Sequence, residues 1–314
     1  MSKFFDAIRR ATEQAGANAT PLIPDLSPLL AESAESSNAP DGSLSLWAAE
    51  QLLSRQGSPE ERALRRVTVR PAASTVLVPL VGHDRRAAEQ YRIIRTKIVQ
   101  HPERPRLLAI SSSGVGDGKT VSSINIAAAL SLKEKSSVLL VDADFRRSAL
   151  AEMLGIDGTR GLADILRGGC SVRDAVVQLE SYPSLYVLPG GQDLPNAVDL
   201  LDSPRWQLAC KIFGSLFDFT VIDAPPVGLV ADYDIIQASV DAVVLVARTD
   251  HTNRARFLAV LESVPKRKLI GVVMNCVPDW FLTRSIEQDD RYYGHSKMPA
   301  STSADSGDNL NKDG

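Results

Sequence analysis

Apolar residues recur along this chain in two alternating rhythms. Short continuous runs at 107–111, 138–142, 185–189, 219–223, 242–247 and 269–274 have the length and branched-residue content of buried strands. Between them, the segments 88–100, 119–133, 198–217 and 254–263 carry apolar residues at helical spacing. Runs that are apolar throughout, rather than at every second position, belong to strands covered on both faces. The alternation predicts an α/β fold of three layers, a mostly parallel sheet with helices on both faces.

Outside residues 83–284 this rhythm fades. Residues 1–17 predict a short amphipathic helix, with Phe4, Phe5, Ile8, Ala11, Thr12 and Ala15 near one face. The stretch 18–45 is rich in Pro, Ser, Ala and Asn, as a flexible linker is. A short helix near 46–54 and a basic segment of little periodicity follow, so 18–82 reads as linker and mixed region. Residues 83–284 read as the compact domain, and 285–314 as a flexible, polar C-terminal tail that carries Tyr292 and Tyr293.

Composition narrows the function classes. The chain is 44% hydrophobic and 23% charged, the balance of a soluble globular protein. A net charge of −3 argues against a general nucleic-acid binder, although Arg and Lys outnumber acids between about 55 and 106. No apolar run approaches the roughly 20 residues that span a bilayer, and the first residues lack the pattern of a signal peptide. Cys170, Cys210 and Cys276 have no metal-ligand spacing and are expected to be small buried thiols in a reducing cytoplasm. The histidines His83, His101, His251 and His295 are scattered.

Three motifs at the ends of predicted strands carry the chemistry. After the first core strand comes Ser113-Gly114-Val115-Gly116-Asp117-Gly118-Lys119-Thr120, a relaxed phosphate loop with Ser113 where the usual pattern has Gly. Its glycines let successive backbone N–H groups turn inward, and the helix that begins near Lys119 adds its positive end, so Ser113 through Val121 are the expected nucleotide-binding residues. Lys119 can reach terminal phosphoryl oxygens, and the Thr120 hydroxyl can ligate magnesium. The run Val138–Val141 delivers Asp142 to a strand end, with Asp144 two residues on and Arg146 and Arg147 behind. Two carboxylates there can divide the holding of a metal from the acceptance of a proton. Phe219–Ile222 likewise delivers Asp223 before Ala224-Pro225-Pro226, where it would meet magnesium through water. The ordered trio predicts one site for ATP and Mg2+.

With these motifs in place, the chain resembles the bacterial tyrosine kinase family, the P-loop autokinases of capsule and exopolysaccharide export. The segment Asp142-Ala143-Asp144-Phe145-Arg146-Arg147 is similar to the second aspartate motif that separates this family from most P-loop proteins. Glu89, Arg92 and Arg95 match its oligomerisation signature, although on one helix face they could equally form a solvated surface. Asn125, Leu188-Pro189-Gly190-Gly191, Pro195-Asn196 and Asp199-Leu200-Leu201 also fit. So does Gly271–Val277, whose Asn275 would lie near the adenine. The opening Met1–Arg10 is similar to the start of some stand-alone members.

The resemblance implies a P-loop NTPase fold and a non-specific protein-tyrosine kinase. Lys119, the loop amides and magnesium would hold the phosphates, Asp142 would deprotonate the incoming tyrosine, and Asp144 and Asp223 would support the metal. The acceptors would be Tyr292 and Tyr293 of a neighbouring copy in a homo-oligomer. It also implies a cytoplasmic protein recruited to the inner face of the membrane by a membrane polysaccharide chain-length regulator. Two other readings stand beside it. One is a nucleotide-switch ATPase of the ParA/MinD class, which would carry a second lysine where Ser111, Ser112 and Ser113 stand. The other is a degenerate ATP-binding regulator of polysaccharide export. Iron–sulfur carrier relatives are excluded because the paired cysteines they need are absent.

Overall fold

The computed structural model describes residues 64–71, 85–133, 136–191 and 197–278. The expected helices at 1–17 and 46–54 and the tail tyrosines Tyr292 and Tyr293 lie outside them. The strands are β1 (Arg65–Val67), β2 (Leu107–Ser112), β3 (Val138–Asp142), β4 (Val177–Leu179), β5 (Tyr182–Leu188), β6 (Phe219–Asp223), β7 (Ala242–Arg248) and β8 (Leu269–Asn275). The helices are α1 (Arg85–Val99), α2 (Lys119–Ser131), α3 (Leu150–Leu154), α4 (Leu162–Arg167) and α5 (Val172–Ala175). They continue with α6 (Ala197–Leu201), α7 (Pro204–Leu216), α8 (Asp232–Ser239) and α9 (Arg254–Ser263).

Among the described residues these strands form one sheet in the order β1-β4-β5-β3-β6-β2-β7-β8. The neighbours from β5 through β8 pair in parallel, while β4 runs antiparallel to β5 and brings β1 parallel to itself. Side chains alternate across the pleat, so one apolar run supplies two cores. Leu107, Ala109, Leu139, Val141, Ile222 and Leu245 face the layer containing α7 and α8, where Trp206, Phe213, Tyr233 and Ile236 are buried. Leu108, Ile110, Leu140, Val221 and Val246 face α2 and, beyond it, Ile98 of α1. Helix α2 is buried along nearly its whole length because Ala127, Ala128 and Ala129 let it lie close to the sheet.

The six strands expected from the apolar runs are all present. Within the stretch 18–82 read as linker and mixed region, Arg65–Val67 form β1 and pair in register with Val177–Leu179. A three-residue strand with two charged positions is too short to leave a periodic signature. The expected single helix over 198–217 is two helices. Pro204 has no N–H to continue a helix, and Ser203 ends α6 and starts α7: its hydroxyl donates to the Leu200 carbonyl at 2.6 Å and caps the Trp206 N–H. The cysteines also differ from expectation: Cys210 is buried, Cys170 is partly buried and Cys276 is exposed.

Removing the Ser203 cap is expected to destabilise the domain by about 1 kcal/mol. Urea denaturation of Ser203→Ala against the parent checks this; an unchanged midpoint would mean that Pro204 alone fixes the start of α7.

Candidate active site

The sheet brings the three motifs to one edge. β2, β6 and β3 are adjacent and parallel, so their carboxyl ends coincide. In register, Asp142 stands directly opposite Asp223, and Ile110 opposite Asp223 on the other side. The Ala224 N–H donates to the Ile110 carbonyl at 3.0 Å and the Ala143 N–H to the Asp223 carbonyl at 2.9 Å. These bonds extend the ladder one residue beyond both aspartates and fix the chain exits that follow them.

Between β2 and α2 the loop Ser113–Gly118 closes on itself. Gly118 stands immediately before the helix with φ 90°, a conformation that favours glycine. A Cβ there would also fall 1.9 Å from Asn275 Nδ2, so the strand β8 residue and the glycine require each other. Asn275 Nδ2 donates to the Asp117 carbonyl at 3.2 Å. Asn275 thus lies against the loop backbone, while its own carbonyl accepts from the Thr249 N–H at 3.1 Å.

Asp117, expected to bind nucleotide, turns its side chain into the protein. Its carboxylate accepts from the Gly114 N–H at 2.9 Å and from the Thr252 hydroxyl at 2.6 Å, and it is almost fully buried. The segment after β7 completes this side. Arg248 Nη1 donates to the Gly116 carbonyl at 3.3 Å, and His251 Nε2 lies 3.1 Å from the Val115 carbonyl. Val115 itself is exposed at the loop's tip. Behind the loop, the Ser111 hydroxyl donates to the Pro225 carbonyl at 2.6 Å and the Ser112 hydroxyl to the Gly114 carbonyl at 2.7 Å.

The charged centre lies beneath. Lys119 Nζ sits 2.5 Å from Asp144 Oδ2, with 12% of one side chain and 3% of the other exposed. Thr120 donates its hydroxyl proton to Asp223 Oδ2 at 2.7 Å. Ser123, one helical turn after Lys119, places its hydroxyl 3.0 Å from Asp223 Oδ1 and 2.9 Å from the Lys119 carbonyl. Asp142 accepts from the Ser148 hydroxyl at 2.8 Å, the Leu150 N–H at 3.3 Å and the Asp144 N–H at 3.2 Å. Gly190 closes over Asp142, for a Cβ there would meet Ser148 Oγ at 2.8 Å and Asp142 Cγ at 3.7 Å. Arg146 reaches across to fully buried Asp232, Nε to Oδ2 at 3.1 Å. That pair ties the turn after β3 to α8.

Three carboxylates and one ammonium leave this centre with more buried negative charge than it can neutralise. Burial pushes the Asp142 carboxyl up to about 7, helped by the charge of Asp223 and opposed by the bonds from Ser148 and Leu150. Burial raises Asp223 as well, with Lys119 and the Thr120 hydroxyl pulling the other way. For Lys119 burial acts to lower the pKa, but the carboxylates of Asp223, Asp144 and Asp142 together raise it. Among the described residues no three His, Cys, Asp or Glu side chains form a metal cage of their own. A magnesium ion suits such a site, since it keeps waters and phosphate oxygens and takes only one or two carboxylates. Excess buried negative charge and the Thr120 hydroxyl, at the start of a helix that follows a glycine-rich loop, fit a magnesium–triphosphate pair.

The structure thus brings together Ser113–Val121, Asp142, Asp144, Asp223 and Asn275. Glu89 and Arg92 lie on the exposed side of α1 and Arg95 is partly buried there. Sequence reasoning missed Ser123, Ser148, Arg248, Thr252 and the Arg146–Asp232 pair. Ser123 had a signal, its four-residue spacing from Lys119 on one helix face. The others come from distant segments and had none.

The raised carboxyl has a thermodynamic consequence. In the folded chain Asp142 keeps its proton at pH values where the unfolded chain has lost it, so its contribution to stability falls as pH rises from about 4 to about 7. Asp142→Asn, free of that loss, is expected to raise the melting temperature of the nucleotide-free protein at pH 8 by at least about 2–4 °C, the shift that ~1 kcal/mol produces at this size. The gain should vanish near pH 4. Equal melting temperatures at both pH values would remove the repulsion between Asp142 and Asp223.

Comparison with known proteins bears on the same segment. The AAA domain family matches residues 105–268, more than half of the 314. Tyrosine-protein kinase CpsD of Streptococcus agalactiae is 32% identical over 197 residues, covering 62% of this chain and 85% of that protein. Tyrosine-protein kinase YwqD of Bacillus subtilis is 32% identical over 194 residues, 60% of this chain and 80% of its own length. The BceF tyrosine kinase domain superposes with TM-score 0.57 at 27% identity, covering 65% of this chain and 82% of that one. The kinase domain of the Escherichia coli tyrosine kinase ETK has TM-score 0.60 at 20% identity, over 80% of this chain and 89% of its own, a likeness of fold. On the strength of the family match and of relatives that this chain spans over most of their length, it belongs to the bacterial tyrosine kinases, enzymes that transfer phosphate to protein tyrosine.

Proposed function

We propose that this kinase is an autokinase that uses ATP and Mg2+ to phosphorylate Tyr292 and Tyr293 of a neighbouring copy, and so regulates capsular or exopolysaccharide assembly. The observation that carries the reading is the pairing of Asp142 with Asp223 at the mouth of a phosphate loop. One of the two carboxyls is held near pH 7, where a proton acceptor works best. The loop amides and Lys119 would cradle the phosphates, while Thr120, Asp223, Asp144 and Asp142 would hold the metal. When bound, magnesium supplies charge neutralisation to the phosphates, the main demand of phosphoryl transfer. Asp142, oriented by Ser148 and the Leu150 N–H, would hold the tyrosine hydroxyl and take its proton. Lys119, paired with Asp144 in this structure, would turn to the phosphates, and Asp144 would then be free to serve the metal.

A switch ATPase would need a second lysine in Ser111–Ser113. Ser111 and Ser112 there are buried and bonded to backbone carbonyls, so the loop is built without that cation.

Assembly is read onto α1. Arg92 Nη1 lies 2.9 Å from Glu89 Oε2 in a pair whose side chains are both more than half exposed. Such a pair contributes little to stability by itself, which leaves both groups available to a second copy. Exposed Ile93 adds an apolar contact between them and Arg95. By family resemblance the activator is a membrane polysaccharide chain-length regulator that recruits the kinase to the inner face of the membrane. Among the described residues no helix is long and apolar enough to cross a membrane.

Mass spectrometry after incubation with ATP and magnesium, with the activator's cytoplasmic segment present, tests the reading. Phosphate is expected on Tyr292 or Tyr293 and is expected to vanish in Lys119→Met. In Asp142→Asn transfer should fall by at least about 100-fold, the usual weight of a general base, while ATP binding survives. Undiminished transfer in Asp142→Asn would move the proton acceptor elsewhere. Replacing Glu89, Arg92 and Arg95 together by Ala should lower the mass seen by light scattering, and an unchanged mass would reject α1 as the subunit contact.

A further inference from the structure

Two arginines follow Asp144, and the fold treats them differently. Arg146 is spent inward on Asp232. Arg147 is held by its backbone alone: its N–H donates to the Asp144 carbonyl at 3.0 Å and to Asp144 Oδ1 at 3.2 Å. The residue is exposed, and among the described residues its guanidinium makes no hydrogen bond or ion pair. An uncommitted cation is therefore fixed three residues after Asp144, at the rim of a centre that holds three carboxylates. The segment Ala224–Ala231 that follows Asp223 contributes no charge and exposes Leu229.

The acceptor presents the matching chemistry. Residues 287–293 read Glu-Gln-Asp-Asp-Arg-Tyr-Tyr, with three acids in the five positions before Tyr292. They lie outside the described residues, but their charge is plain from sequence. Carboxylates approaching Asp142, Asp144 and a triphosphate meet repulsion, and an arginine fork at the rim is the group that offsets it. Resting on the tyrosine-kinase reading of this site, we propose that Arg147 selects the acceptor by pairing with the acidic run N-terminal to the tyrosine, as presented by the tail of a second copy. The site is thus specific for tyrosines preceded by acids. Arg147 is a specificity residue, separate from the groups that carry the proton or the phosphate.

The test uses the full chain with Tyr292 and Tyr293 changed to Phe, so that its own tail does not compete. Two peptides serve as acceptors: residues 285–296, and the same sequence with Glu287, Asp289 and Asp290 replaced by Gln, Asn and Asn. Transfer is followed by mass spectrometry, and binding by fluorescence anisotropy of labelled peptides, a readout independent of turnover. The acidic peptide should show a KM and a Kd about tenfold lower at low salt, a factor equivalent to ~1.4 kcal/mol. Most of that preference should disappear in 0.5 M salt. Arg147→Ala should raise both constants for the acidic peptide to the level of the neutral one, and Arg147→Lys should restore part of the difference. Arg147→Glu should reverse the preference. Equal affinities in the parent, or a preference that survives Arg147→Ala, would overturn the proposal. So would a tenfold loss of ATP affinity in Arg147→Ala, which would assign the arginine to the nucleotide. Selective binding without transfer to either peptide would retain the recognition and overturn the kinase reading of the tail.

Discussion

The register between β3 and β6 is the constraint on which the site depends. Parallel pairing sets Asp142 directly opposite Asp223 at the carboxyl end of the sheet, about 4.8 Å apart in the backbone, the ordinary spacing of neighbouring strands. Neither side chain can retreat, because each is the last residue of a strand whose three preceding residues are buried. The sheet core thus holds two like charges together in a poorly solvated place. Lys119 at the start of α2 answers only part of that charge, and below about pH 7 a proton on Asp142 answers more. A cationic ligand with its own phosphates is the natural complement. The apolar packing that makes the fold stable is also what makes the site reactive.

Helix α2 connects the two requirements. Its first residues carry Lys119, Thr120 and Ser123 toward Asp144 and Asp223, while the remainder is buried in the sheet. A helix with little freedom to shift is what a site of this kind needs, since small displacements of positioned groups are costly in catalysis. On the side toward β7 and β8 the phosphate loop is held by polar contacts instead. The Asp117 carboxylate joins Gly114 to Thr252, and the Asn275 amide reaches the Asp117 carbonyl. The acidic residue within the loop thus shapes it from behind, with its charge turned away from where phosphates would lie.

Close backbone approach does the same work around Asp142. Gly190 at the end of β5 leaves room for Ser148 to reach the carboxylate. Carbonyls of Pro189 and Gly190 accept the Leu162 and Ala163 N–H groups at the start of α4. The Leu188–Gly191 segment is thereby fastened on one side to a helix start and on the other lies against Ser148 and Asp142. Its conformation is a packing requirement with a chemical consequence.

Much of this was legible in the sequence because it is local. Apolar runs long enough to cross a sheet announce strands, and a glycine-rich turn before Lys119-Thr120 announces a phosphate loop in any context. Asp142 and Asp223 follow such runs directly, so their place at strand ends needed no tertiary knowledge. What the sequence did not disclose depends on distance. β1 and β4 are three residues each, too short to carry a period; β1 finds β4 across an interval of more than 100 residues, and β4 is held between it and β5. Ser148, Thr252 and Asp232 are ordinary polar residues until folding sets them against Asp142, Asp117 and Arg146. The strand order, the opposition of the two aspartates and the separate fates of Arg146 and Arg147 were decided by tertiary structure alone. Partners in a hydrogen bond or an ion pair are chosen by proximity in space, which residue types and local spacing do not encode.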